Sequence, residues 1–149
     1  MPERQRRTRP HVHRNQQRRP VHRFYQALQQ GDYDTLTGMF HPDFVFYPQI
    51  DSPRPGAAGF IDAEKKHVDA FSDIRLTVLD TVAEADKVGA YVAVEGDQGG
   101  DYYGIPHAER TYVFPCATWV TFKDGKITEK RAHYNLADIM DQLTAGSAA

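Results

Sequence analysis

Asp124-Gly125-Lys126-Ile127-Thr128-Glu129-Lys130-Arg131-Ala132-His133-Tyr134-Asn135 follows a long uncharged run, Thr111 to Phe122, and the pairing of these two segments decides the fold. An Asp-Gly pair between two alternating runs signals a hairpin, because both residues tolerate the positive φ of a type I′ turn. With Asp124 and Gly125 as the loop, Lys123 faces Lys126 and Phe122 faces Ile127. Carried outward, that register places Arg131, His133 and Asn135 on one face, opposite Thr118, Cys116 and Phe114. The same face ends at the turn in Val120, Phe122 and Ile127. Polar groups in a row on such a face predict the wall of a pocket rather than a plain core. Trp119, Tyr134, Ala117 and Thr121 fall on the other face. A large aromatic pair there predicts a homodimer, since an isologous contact covers both outer faces at once.

Upstream, the texture is first helical and then extended. Pro20 suits the first turn of a helix that carries Val21, Phe24, Tyr25 and Leu28 and stops at Gly31. Tyr33, Leu36 and Phe40 mark a second short helix, with Asp32 or Asp34 near its start, and His41-Pro42-Asp43 breaks it. Phe44 to Tyr47 reads as a strand, and the Pro/Gly-rich stretch Ser52 to Gly59 as a loop. Phe60 to Phe71 has helical spacing, with His67 on its stripe as a core histidine. Ile74–Ala83 and Val88–Glu95 alternate around a turn at Glu84-Ala85-Asp86-Lys87, which sets Tyr91 opposite Asp80. Gly96 to Gly104 reads as a mobile loop, with His107 beyond it over a pocket mouth. Pro115 cannot donate to a ladder, so its strand has a bulge or an edge there. Leu136, Ile139, Met140 and Leu143 form a closing helix. Helices first and an antiparallel sheet afterwards is an α+β order.

Composition narrows the class of protein. A chain of 149 residues, 40% hydrophobic and 26% charged, fits one domain with a real core. No uncharged run approaches the ~18 residues of a membrane helix, and the N-terminus lacks the apolar segment of a secretory signal. One cysteine suits a reducing, cytoplasmic setting and allows no internal disulfide. The seven histidines show no H-x-x-x-H or H-E-x-x-H spacing, so no metal is expected. Residues 1–19 hold seven arginines against Glu3, a net +6, leaving −8 for the rest of a chain whose total is −2. That segment reads as a solvated, disordered arm before a single domain over 20–145 and a tail over 146–149. The acidic body offers no basic face, so nucleic acid is not an expected partner.

The order helix, Gly31-Asp32-Tyr33-Asp34, Phe40-His41-Pro42-Asp43-Phe44-Val45, Asp73-Ile74-Arg75-Leu76-Thr77-Val78, Gly104-Ile105-Pro106, Asp124-Gly125-Lys126-Ile127-Thr128-Glu129 and Leu143 resembles the SnoaL-like polyketide cyclases of the nuclear transport factor 2-like superfamily. The resemblance covers about residues 20–145. It implies a cone-shaped α+β barrel: a bent antiparallel sheet wrapped around N-terminal helices, with a deep apolar central pocket. It further implies a cofactor-free enzyme of secondary metabolism. The reaction would be acid/base cyclisation, isomerisation or epoxide opening of a polyketide-type or aromatic small molecule. A non-catalytic binder of such a molecule is the alternative. In the cyclases an aspartate near the end of the last strand is the base; that position here is Asn135, which hydrogen-bonds but takes no proton. An aromatic residue common four positions earlier is here Arg131, and a polar pocket position after Pro42-Asp43 falls at Tyr47.

Within that pocket the expected roles divide as follows. His133 is the candidate general acid/base, because imidazole is the side chain suited to proton transfer at neutral pH. Tyr47 and Asn135 are expected to polarise a substrate oxygen. Arg131 would hold an acidic or phenolic group through its planar fork, and Phe114, Tyr91, Phe24 and Cys116 would contact the substrate.

Overall fold

The computed structural model describes residues 10–102, 104–106 and 110–144, with side chains from residue 18 onward. Helix α1 (Pro10–Gln30) and helix α2 (Tyr33–Met39) precede strand β1 (Phe40–Tyr47) and the short β2 (Arg54–Pro55). Helix α3 (Ala57–Asp69) leads into β3 (Phe71–Glu84), β4 (Lys87–Gln98), β5 (Thr111–Lys123) and β6 (Lys126–His133), and α4 (Leu136–Thr144) follows. The fold is the expected α+β class. Six strands form one curved, unclosed sheet in the order β2-β1-β6-β5-β4-β3.

Several expectations about these elements are corrected. Phe40 to Asp43, expected as the end of α2 and its break, open β1, and the expected loop Ser52 to Gly59 holds β2 and the start of α3. The sheet is mixed, because β1 runs parallel to β6 while the other neighbours are antiparallel. Helix α1 begins at Pro10, and Pro20 lies inside it. A proline there removes one intrahelical bond, and the Arg- and Gln-rich turns before it are good helix formers. Residues 1–9 lie outside the described residues.

Helix ends follow from local chemistry. Gly31 takes φ +69 beyond α1, where its N–H reaches the Leu28 carbonyl at 3.2 Å. Asp32 then caps α2 by accepting from the Thr35 amide at 3.2 Å and the Thr35 hydroxyl at 2.6 Å. Those two bonds hold the Asp32 carboxyl below its ordinary value. Val21, Phe24, Tyr25 and Leu28 are all buried, so α1 lays one stripe into the concave side of the sheet. Gln29 adds a fixed point by accepting from the Leu76 amide of edge strand β3 at 2.8 Å. Phe24, Phe40, Phe44 and Phe60 meet edge-on or tilted, with centroids 4.5–6.4 Å apart. No helix among the described residues is long and apolar enough to cross a membrane.

Both turns are as expected. Asp124 and Gly125 have φ +52 and +74, and Phe122 pairs with Ile127. Glu84 pairs with Lys87 and Asp80 with Tyr91. Pro115 also finds its edge. Val113 exchanges hydrogen bonds with Gln142 of α4 on the side away from β4, and Pro115 points the same way, past the last β6 pair at Ala117 and His133.

The hairpin register then departs from the expectation. After Phe122 opposite Ile127, the next pair is Thr121 opposite Glu129, so Thr128 is an extra residue in β6. The Thr128 hydroxyl donates to the Thr121 carbonyl at 3.3 Å across this bulge. One inserted residue turns every later side chain to the other face. Lys130, Ala132 and Tyr134 therefore point inward, and Arg131 pairs across from Trp119 on the outer face. Tyr134, expected outside beside Trp119, instead packs on Phe114 with centroids 5.9 Å apart. Trp119 remains outside and half exposed, its ring lying close over Gly89.

Candidate functional site

The concave side of the sheet and helices α1 and α3 enclose a cavity of about 570 Å³. Exposed residues His133, Leu136, Gln49 and Arg54 line it and mark its mouth. Phe24, Phe46, Phe60, Phe71 and Phe114 give it largely aromatic walls. A few polar groups converge on this apolar space, the usual layout of a small-molecule site.

Of the expected substrate contacts, Phe24, Phe114 and Cys116 line the cavity. The others are placed elsewhere. Arg131 is on the outer face, ion-paired to Glu129 at 2.7 Å, bonded to the Ile50 carbonyl at 3.3 Å and stacked 4.0 Å over the Tyr47 ring. Tyr47 is thus held under a guanidinium outside the cavity, and Tyr91 is half exposed on the outer face of β4. His133 stands at the mouth, directed away from the interior by the same parity change. His107 lies outside the described residues.

Asn135 is a helix cap. Its side-chain oxygen accepts from the Asp138 amide at 3.2 Å, and its carbonyl accepts from Ile139 at 3.2 Å. Asn135→Ala is expected to cost about 1 kcal/mol in a denaturant melt, and Asn135→Asp to retain the cap.

Three other polar groupings occupy the interior. On α3, Phe60, Ala63, Glu64, His67 and Val68 share the face that lines the cavity, at helical spacing. His67 Nδ1 lies 3.0 Å from the Tyr102 hydroxyl, and the two rings meet edge-on with centroids 5.5 Å apart. Tyr102 arrives from the β4–β5 connection. Expected as a loop from Gly96, the chain there is strand through Gln98, and beyond it Tyr102 and Ile105 form an antiparallel bridge. Tyr102 and Ile105 exchange backbone bonds of 3.0 and 2.9 Å, and Gln98 Nε2 donates to the Ile105 and Pro106 carbonyls. Gly99 and Gly100 both donate to the Ala70 carbonyl at the end of α3. The same turn therefore fixes His67 and Tyr102 relative to each other.

Lys130 supplies a cation on the inner face of β6 and is only 4% exposed. Burial works against its ammonium, while the acidic groups Tyr25, Glu64 and Cys116 work for it, and the balance lies above the ordinary lysine value. Burial first of all pushes up the Tyr25 hydroxyl and the Cys116 thiol, so both are protonated at neutral pH. Cys116 is accordingly a wall residue and not a thiolate. Tyr112, fully buried beside Phe71, is likewise raised by burial.

The sequence carried little signal for these groups. Thr128, Glu129, Lys130 and Arg131 are polar at every position, so no alternation fixes which of them faces inward. His67 and Tyr102 are joined only by tertiary structure. A stripe that already contained Phe60, Ala63 and His67 could have drawn Glu64 in as its neighbour.

Comparisons with known proteins agree with this architecture. A protein from Jannaschia sp. CCS1 described as a candidate SnoaL-like polyketide cyclase has a TM-score of 0.80 at 22% identity, over 89% of this chain and 94% of its own. TsrD from Streptomyces laurentii has a TM-score of 0.78 at 26% identity, over 89% and 97%. IdmH from Streptomyces antibioticus, a candidate polyketide cyclase, has a TM-score of 0.78 at 22% identity, over 87% and 99%. Comparison with curated proteins finds no match. The family model for SnoaL-like polyketide cyclase matches residues 19–143, and the chain belongs to that family.

Proposed function

We propose that this protein is a cofactor-free acid/base enzyme of secondary metabolism that cyclises or isomerises a polyketide-type or aromatic small molecule. The observation that carries this reading is the His67–Tyr102 pair, 3.0 Å apart in an aromatic cavity of about 570 Å³. His67 takes a proton from a carbon beside a substrate carbonyl. The C–H electrons pass to the carbonyl oxygen as an enolate, and the imidazolium is held through Nδ1–H by the Tyr102 oxygen. In a cyclisation, the enolate carbon then bonds to a second carbonyl carbon of the same molecule. The alkoxide so formed takes the proton back from His67. In an isomerisation the proton returns to a different carbon. The aromatic walls exclude water that would quench the enolate.

Incubation with a small-molecule extract of the source organism, followed by mass-resolved chromatography, tests the reading. The wild type is expected to convert a component to an isomer of unchanged mass and altered retention. Tyr102→Phe should slow that conversion about 10–100-fold, the effect of losing one hydrogen bond to a charged group. A component retained unchanged by the wild type, with no product, would replace the enzyme reading by that of a binder.

A further inference from the structure

The Lys130 ammonium lies 5.3 Å from the ring centroid of Phe60, 5.6 Å from Phe24, 5.8 Å from Phe46 and 5.9 Å from Tyr25. Ring faces stabilise a cation, but they do not neutralise it. Among the described residues no carboxylate is in ion-pair contact with it. Glu64 acts on it only through space, from the half-buried inward face of α3. Tyr25 and Lys130 influence each other's protonation, and the buried Tyr25 hydroxyl, set near Lys130 and Thr118, makes no well-aligned hydrogen bond with either. Buried polar groups are normally paired, and a buried charge without a counter-charge is costly. Both Lys130 and Tyr25 line the cavity.

We infer that the ligand of this cavity carries an ionised oxygen, which docks against Lys130 with the Tyr25 hydroxyl as a second donor, while the phenylalanine rings hold its apolar skeleton. The ionised oxygen belongs to a carboxylate or to an acidic phenol or enol; Lys130 is thus a specificity-determining residue. A neutral ligand would leave the ammonium buried and unpaired, so an anion gains what its neutral analogue cannot. The inference rests on this cavity being the ligand site of the proposed function, but not on His67 acting as its base.

Equilibrium binding of two probe pairs tests it: naphthoate against its methyl ester, and dinitronaphtholate against its methyl ether. The wild type is expected to prefer the anion about 10–100-fold in at least one pair, and which pair responds identifies the acid. Lys130→Met should abolish the preference. Replacing a buried charge by an apolar chain of similar length is commonly tolerated, and a melting curve verifies folding. Glu64→Gln, which leaves Lys130 in place, should tighten the anion several-fold by removing an opposing charge. Equal binding of acid and neutral analogue by the wild type would overturn the inference, as would a preference that survives Lys130→Met. Either result leaves the proposed reaction to stand or fall on the His67 and Tyr102 variants.

Discussion

Replacing His67 by alanine is expected to lower turnover about 10²–10⁴-fold, the usual worth of a positioned general base. The residue sits on α3, half-buried at the cavity wall, so alanine is compatible with the helix and removes few core contacts. Its position is set from two sides. The α3 backbone directs it inward together with Phe60, Ala63 and Glu64, and the 3.0 Å contact with Tyr102 orients the ring. Loss of the imidazole should therefore appear in kcat more than in ligand affinity. Addition of free imidazole to His67→Ala is expected to restore part of the rate, because it refills the space with the missing base. His133→Ala supplies the comparison: at the mouth and pointing away from the interior, it should retain most of the activity. Wild-type turnover by His67→Ala, or the larger loss in His133→Ala, would remove His67 from the proposed chemistry.

Phe44→Ala is expected to cost about 3–5 kcal/mol, a large part of the roughly 5–15 kcal/mol that holds a domain together. Phe44 is 1% exposed, with its ring 4.5 Å from that of Phe40 and 5.5 Å from that of Phe60. These rings join α1, β1 and α3, so the void would open where three elements meet and cannot close by moving one side chain. A fall of roughly 6–20 °C in Tm is the corresponding thermal result. Phe60 contacts this cluster and lines the cavity, so ligand binding should weaken along with stability in Phe44→Ala. A loss below 1 kcal/mol would mean that the cluster is not packed as described.

Local chemistry was enough to set both hairpin turns, the helical stripe on α1, the stop at Gly31, the edge at Pro115 and the α+β order. Each depends on backbone freedom or on an apolar period contained within a dozen residues. Asp124-Gly125 favours one turn whatever surrounds it, and Val21, Phe24, Tyr25 and Leu28 define a buried face by spacing alone. Part of the apolar wall of the cavity was legible as well: Phe24, Phe114 and Cys116 were placed on it and are there, while Phe46, Phe60 and Phe71 were not foreseen.

Tertiary structure alone decided the polar part. One extra residue, Thr128, turned Arg131 outward, left His133 at the cavity mouth and brought Lys130, Ala132 and Tyr134 inward, while Asn135 went to the cap of α4. In a strand polar at four successive positions, burial against α1 and the parallel pairing with β1 fix parity, and neither partner is nearby in sequence. The His67–Tyr102 contact likewise exists only because the β4–β5 connection folds onto the end of α3. Short-range conformational preference thus determined the turns and the buried stripes, while the start of α1, the strand from Phe40 and the direction of the charged side chains of β6 were settled by long-range packing, which a single segment's pattern does not encode.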